Sequence, residues 1–413
     1  MICIIRITFF SLLIGLLALA CTPKSDEKSL VERSFETASE QTRQMLQVAT
    51  DPTRIPRTTA PDGSFKTTNM YDWTSGFFAG NLWYLYEYTK DEDFKQEAIR
   101  WTEALEPLKT FTGHHDLGFM MYCSYGNGYR LTNNEAYKDI LVESAKSLCT
   151  RYNPITKSIK SWDYRKNWDG VTEWFFPVII DNMMNLELLF FATEVTGNNY
   201  YKDFAISHAE TTIKNHIRDD FSTYHVVDYD TLTGEVKDQA TCQGFTDQST
   251  WARGQAWGIY GFVMMYRETK DNKYLETAQK LADYYLNHPN MPEDLIPYWD
   301  FYAIDENHKP LWDYDPEQFK TVPRDASAAA IVSSALIEMS NYLPVNGQFY
   351  FEKAEKMLKS LSSPDYMAEP GSNNNFVLMH SVGSIPHGAE INVPLVYADY
   401  YFFEALLRYE NAK

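Results

Sequence analysis

The chain has 413 residues and sets 37 Lys and Arg against 56 Asp and Glu, for a net charge of -19. So acidic a protein repels nucleic acid and anionic membrane surfaces, which excludes functions built on a basic face. Long anionic polymers are not steered to it either, so an anionic substrate needs cations gathered locally inside a pocket.

In chain order, the first element is a targeting segment. Arg6 is the only charge before Cys21, and the run from Ile7 to Leu19 is apolar but too short for a spanning helix. It ends in Ala18-Leu19-Ala20-Cys21, which resembles a bacterial lipobox with Ala18 in place of the commoner leucine. Residues 1–20 read as a lipoprotein signal peptide and Cys21 as the lipidated mature N-terminus. Thr22 in the next position favours the outer membrane, and residues 21–29 form a short polar tether.

Residues 30–413 read as one domain, because no Gly-, Ser- or Pro-rich linker interrupts them. Cys123, Cys149 and Cys242 are odd in number and widely spaced, which excludes a disulfide framework and a CxxC metal signature and predicts buried thiols. Aromatic residues make up 15% of the chain, enough for a large core and for a cleft that stacks sugar rings. Composition does not separate those two uses.

One theme then recurs: a helix rich in aromatic and small residues, a short polar turn, and an amphipathic helix. After an opening amphipathic helix over Leu30–Ala49, the pairs are Trp73–Thr89 with Phe94–Leu108, and His115–Leu131 with Glu135–Tyr152. They continue as Ile179–Thr196 with Tyr200–His216, Arg253–Thr269 with Lys273–Asn287, and Asp325–Tyr342 with Phe349–Leu361. A last helix over Ile391–Tyr409 is unpaired. The second helix of each pair shows the 3.6 period, as in Tyr274, Ala278, Leu281, Ala282 and Tyr285, whereas the first is apolar on nearly every face. An inner ring of buried helices inside an outer amphipathic ring satisfies both patterns, so the prediction is an all-α (α/α)6 barrel whose two unpaired helices meet.

The segments leading into the inner helices are long and rich in Trp, Tyr, Asp, Asn and His, while the opposite turns are short. That asymmetry marks the functional face. Within it, Tyr224–Asp228 followed by Leu232–Glu235 reads as a β-hairpin.

Two aspartates stand at equivalent inner-helix starts, Asp116 in His115-Asp116-Leu117-Gly118-Phe119 and Asp181 in Ile179-Ile180-Asp181-Asn182. Burial and a neighbouring carboxylate raise a carboxyl pKa, giving a proton-loaded acid near neutrality. The structural alternative is a pair of first-turn aspartates favouring the helix dipole. Arg253 opens a helix that is otherwise uncharged near its start, where a guanidinium needs an anion from the ligand or the protein, with Asp247 as the internal candidate. Trp251 and Trp257 wall a pocket or fill the core.

The motifs Trp73-Thr74-Ser75-Gly76-Phe77, His115–Phe119, the Asp181 helix and Trp251-Ala252-Arg253-Gly254-Gln255-Ala256-Trp257 occur in this order. Together they resemble the unsaturated glucuronyl hydrolases of glycoside hydrolase family 88, with the sister unsaturated rhamnogalacturonyl hydrolases as second choice. The resemblance implies an enzyme acting on unsaturated uronate-containing oligosaccharides, glycosaminoglycan disaccharides foremost, with Asp181 as acid and base and Asp116 tuning it. It implies a sugar site lined by Trp73, His115, His225, Gln243, Trp251, Arg253 and Trp257, and no metal or organic cofactor. In a Ser-x-x-Ser-x-Lys pattern tied to 6-sulfated substrates, Ser381 and Ser384 fit but Pro386 replaces the lysine. Outside this resemblance, an ordinary inverting glycosidase or a non-catalytic glycan-binding lipoprotein remains open.

Overall fold

A computed structural model describes residues 28–413. The expected signal peptide, most of the expected tether and the expected lipidation site at Cys21 lie outside the described residues. Twelve α-helices are present among those described: α1 (Leu30–Val48), α2 (Ser75–Thr89), α3 (Glu92–Glu103), α4 (Asn127–Thr132), α5 (Glu135–Cys149) and α6 (Glu187–Thr196). They continue as α7 (Tyr200–His216), α8 (Ala252–Thr269), α9 (Asn272–Asn287), α10 (Ala326–Ser340), α11 (Gly347–Leu361) and α12 (Val396–Asn411).

These helices form the predicted (α/α)6 barrel. The inner ring runs α2, α4, α6, α8, α10 and α12, each touching the next directly or through the segment that leads into it, and α12 returns to α2. Burial follows the sequence pattern. In α8 every residue from Ala252 to Met265 is buried, whereas α9 buries one stripe that includes Tyr274, Ala278, Leu281 and Tyr285. The unpaired α1 packs on both α2 and α12, so the two chain ends close the ring. Cys123, Cys149 and Cys242 are buried free thiols.

The short turns at one pole repeat a single device. Thr89, Thr132, Thr196 and Thr269 each donate a hydroxyl hydrogen bond to the carbonyl four residues back (2.5–2.7 Å). Each also accepts the N–H two residues ahead, at 3.2–3.3 Å. The residue between takes a left-handed conformation, and at three of the turns Asp91, Asn134 or Asp271 then caps the outer helix.

Two inner helices do not begin as α-helix. The predicted His115–Leu131 helix starts as a π-helix over Gly118–Gly126, and the predicted Ile179–Thr196 helix starts as a 3-10 helix over Ile180–Asn185. The reason is lateral contact. Asn185 Oδ1 accepts the Phe119 N–H (3.1 Å), and a Cβ on Gly118 would stand 2.5 Å from the Asn185 Cα. The helix predicted from Ile391 begins at Val396, because Pro394 disfavours helix before it and Ile391 joins a strand. Phe94–Leu108 divides at Pro107 into α3 and a 3-10 turn over Glu106–Thr110.

The opposite pole carries small sheets. They are β1 (Ile55–Thr59) with β2 (Phe65–Thr68), β3 (Tyr152–Asn153) with β4 (Ser158–Ile159), and β5 (Arg165–Lys166) with β6 (Glu173–Trp174). A three-stranded sheet joins β7 (Pro177–Ile179), β8 (Val226–Tyr229) and β9 (Val236–Ala240), and β10 (Ser381–Ser384) pairs with β11 (Ala389–Val393). The hairpin read at Tyr224–Glu235 is thus displaced. Its second strand is Val236–Ala240, and Leu232–Glu235 forms the connection, where Gly234 has φ 78°.

Close packing between inner helices yields a direct test. A Cβ on Gly76 would meet the Phe119 and Met120 carbonyl oxygens at 2.3 Å, so Gly76→Ala must push two inner helices apart. The expected cost is about 1–3 kcal/mol, read as a lower denaturation midpoint at unchanged slope. An unaltered midpoint would contradict this packing.

Candidate active site

Asp181 and Asp116 are brought together by the segments that depart from α-helix. β7 delivers Asp181: Ile179 pairs with Val226, and the Ile180 N–H donates to the His225 carbonyl (3.0 Å). Asp116 precedes the π-helix, which the Asn185 contact locks to the Asp181 segment. Both aspartates are buried but reachable, at 8% exposure each.

Their environments differ. Burial pushes Asp181 up to about 7, with Arg253 opposing and the Asp116 charge adding to the rise. Burial acts on Asp116 in the same sense, but its histidine and Asn185 partners outweigh it and hold that carboxyl below its usual value. Burial also pushes His115 down to about 4, leaving it uncharged near neutrality. On His114 burial is outweighed by the Asp116 carboxylate, whose Oδ2 lies 3.0 Å from Nδ1, so its pKa is raised. One carboxyl is thus a loaded acid and the other an anion, the division that acid catalysis by Asp181 requires.

His225 faces the acid. Its Nδ1 accepts the Cys242 and Gln243 N–H groups (3.0 and 3.2 Å), which places its proton on Nε2. That nitrogen lies 3.7 Å from Asp181 Oδ2, too long for a hydrogen bond, and both atoms are buried without partners. A buried donor and acceptor facing one another are a receptor for a hydroxyl or a water. Trp257 borders the acid and packs on Phe119 and Tyr401 (ring centroids 5.1 and 5.4 Å), and being fully buried it belongs to the core beneath the site. Trp251 packs at a tilt against His225 (ring centroids 4.7 Å) and lies under the Arg253 guanidinium (4.5 Å).

Beside His225, past the Cys242 and Gln243 backbone that it holds, opens a cleft of about 310 Å³ whose walls include Trp73, Trp162, Gln243 and Tyr397. Its charged lining is Arg57, Arg165 and Arg253 against Glu390 alone, so the acidic protein does concentrate cations at this place. Ser384 lines the cleft, but Ser381 is fully buried with its hydroxyl unpartnered and takes no part in the wall. Arg57, Arg165, His387 and Tyr397 were not singled out from sequence. Lone charges in loops carry no periodic signal, and only the fold gathers them.

Arg253 has an internal anion, and it is not Asp247. Its Nη1 donates to Asp325 Oδ2 (2.9 Å) and to the Val382 carbonyl, and its Nη2 to the Gly383 carbonyl (2.6 Å). Asp247 instead accepts the Thr241 N–H (2.8 Å). Asp325 is the N-cap of α10, so one carboxylate caps a helix and neutralises a neighbouring inner helix.

A second cavity, about 320 Å³, lies at the short-turn pole. Burial pushes Glu187 there up to about 7, but Glu187 pairs with Arg267, which also binds Glu338 (3.0 Å), so the charges satisfy one another. Asp399 is likewise pushed up to about 7 by burial, yet its oxygens accept the Val377 and Leu378 N–H groups (3.0 and 2.8 Å). Of these three carboxyls, Asp181 alone keeps an unpartnered buried oxygen beside the aromatic, cationic cleft. Among the described residues no cluster of His, Cys, Asp and Glu could hold a metal ion.

Comparison with known proteins agrees with this geometry. The sequence matches the Glycosyl Hydrolase Family 88 model over residues 45–402. It is 43% identical to an unsaturated glucuronyl hydrolase of Formosa agariphila, covering 98% of both chains. It is 33% identical to an unsaturated chondroitin disaccharide hydrolase of Streptococcus agalactiae, over 84% of this chain and 83% of that one. A crystal structure of an unsaturated glucuronyl hydrolase specific for heparin superposes with a TM-score of 0.85 at 46% identity, covering 92% of this chain and 97% of the other.

The Arg253 contacts change what its removal should do. Arg253→Ala leaves Asp325 buried without its cation, at an expected cost of about 3–5 kcal/mol of folding stability. Equilibrium unfolding measures this, and a variant of unaltered stability with only a raised KM would assign Arg253 to the substrate instead.

Proposed function

Because the chain belongs to glycosyl hydrolase family 88, we propose that it releases 4,5-unsaturated uronic acid from the non-reducing end of lyase-generated oligosaccharides. The observation that carries this reading is a buried acid, Asp181, pushed up to about 7 and facing an unpartnered His225 Nε2–H beside a cleft with three arginines. An acid of that kind suits protonation of an enol ether, whose nucleophilic carbon is otherwise inert at neutral pH.

In this mechanism Asp181 delivers its proton to C4, and positive charge develops at C5 and the ring oxygen. The aspartate so formed takes a proton from a water that adds at C5. The resulting hemiketal opens to the ketone, and the hemiacetal left at C1 releases the second sugar. Asp116, whose carboxyl stays below its usual range, favours the protonated form of Asp181 before the step, and the proton taken from water restores that form afterwards. His225, through Nε2–H, and Gln243, in the cleft wall, orient sugar hydroxyls, while Trp73 supplies an apolar face for the ring and Trp251 and Trp257 support the site from beneath.

The unsaturated uronate is also a chromophore, and its loss from a lyase-generated disaccharide separates hydrolysis from binding. Asp181→Asn should retain fold and ligand binding and lose turnover by about a thousandfold or more, since the amide has no proton to give. Activity should fall as pH rises through about 7, where Asp181 loses its proton. In heavy water, deuterium should appear at C4 of the released keto acid. A product unlabelled at C4 would rule this chemistry out in favour of a glycosidase acting on saturated bonds.

The targeting segment adds a proposal about place: Cys21 carries lipid and ties the enzyme to the outer membrane. Cys21→Ala should move the protein from the membrane fraction to the soluble one, and continued sedimentation with membranes would refute the anchor.

A further inference from the structure

Two of the three arginines facing the cleft are already neutralised. Arg57 is held by Glu390 and Asp72, and Arg253 by Asp325. The one carboxylate in the wall, Glu390, is therefore spent on Arg57. Arg165 is different: among the described residues it has no acidic group within 4.0 Å. It is half-buried, lies over the Trp162 ring (5.0 Å to the centroid), and donates from Nη2 to His387 Nε2.

That last bond fixes the chemistry of its neighbours. Nε2 must offer a lone pair, so the neutral imidazole carries its proton on Nδ1. Burial, followed by the Arg165 charge, pushes His387 down to about 4 and keeps it neutral at physiological pH. Nδ1 lies 2.6 Å from Ser384 Oγ and donates to it, which leaves the Ser384 hydroxyl hydrogen free for a third group. Ser384 and Arg165 come from different sheets, β10 and β5, and both line the cleft. Trp168, with its ring 4.9 Å from that of His387, backs the relay.

We propose that Arg165, together with the Ser384 hydroxyl aligned through His387, forms an oxyanion-binding subsite that selects substrates by an anionic group. This rests on the reading of the cleft as a site for unsaturated uronosides. A donor fork and a hydroxyl at one mouth match a carboxylate or a sulfo group, which present the same acceptor oxygens. Two parts of the substrate carry that chemistry: the carboxylate of the unsaturated uronate, and a sulfo group on the sugar next to it. Arg253 is 1% exposed and has three of its five donors engaged inside the protein, so the half-buried Arg165 is the more accessible cation.

The test uses full-length protein carrying Asp181→Asn, so that bound disaccharide is not consumed. Unsaturated uronosyl–hexosamine disaccharides, one unsulfated and one sulfated on the hexosamine, are titrated calorimetrically with and without Arg165→Ala. The expected result is a tenfold or greater rise in Kd for at least one ligand, with a shallower salt dependence and partial recovery in Arg165→Lys. An equal loss on both ligands assigns the subsite to the uronate carboxylate, and a loss confined to the sulfated ligand assigns it to the sulfo group. Affinities within twofold of the parent on both ligands overturn the proposal. So does a loss that tracks a lowered unfolding midpoint and is not recovered by lysine. Turnover of the unsubstituted enzyme on the unsulfated disaccharide is followed separately. Its absence would defeat the hydrolase reading, while the titrations still decide the subsite.

Discussion

The site depends on keeping one carboxylic acid protonated at neutral pH without sealing it from substrate. Asp181 meets both demands by standing where burial penalises its charge while a small part of its surface stays exposed. A cation alone beside it would undo the arrangement, because Arg253 favours the charged form. Asp325 and two backbone carbonyls engage that guanidinium, so its pull on Asp181 is limited. Asp116 then contributes an opposing charge, which persists because His114 stabilises it. An acid near 7 is thus set first by burial, with the Arg253 and Asp116 charges opposing one another around it.

The architecture was legible because burial writes itself into periodicity. Fully apolar first helices and striped second helices admit few arrangements besides two concentric rings. What stayed hidden was whatever depends on a neighbour rather than on the helix itself. The π and 3-10 starts near Asp116 and Asp181 have the same apolar run as an α-helix, and only the close approach of Gly118 to Asn185 distinguishes them. A helix start read from sequence therefore found both aspartates but not the backbone that aims them.

Partner choice was hidden for the same reason. Asp247 lies near Arg253 in sequence, yet Asp325, on the next inner helix, lies near it in space. In the same way Arg165 and His387 are unremarkable residues far apart in sequence, and only strand β5 and the turn between β10 and β11 bring them together. Pro386 removes an expected lysine from the last loop, but a charge missing from one strand says nothing about the charge a different strand supplies. The shifted hairpin has a local cause: Gly234, read as part of the second strand, takes the left-handed conformation of the connection before it.

Closure of the inner ring has a consequence for the order of events in synthesis. Every helical hairpin is made of neighbours in sequence and can form as soon as it leaves the ribosome. The seam is different, because α12 must fill the gap between α10 and α2, and α1 packs against both partners at that seam. Until the last helix emerges, the apolar flanks of α2 and α10 face water, and the half-made ring is open to wrong pairing with another nascent chain. A holding chaperone would then have its most important client in the chain that lacks only its final helix.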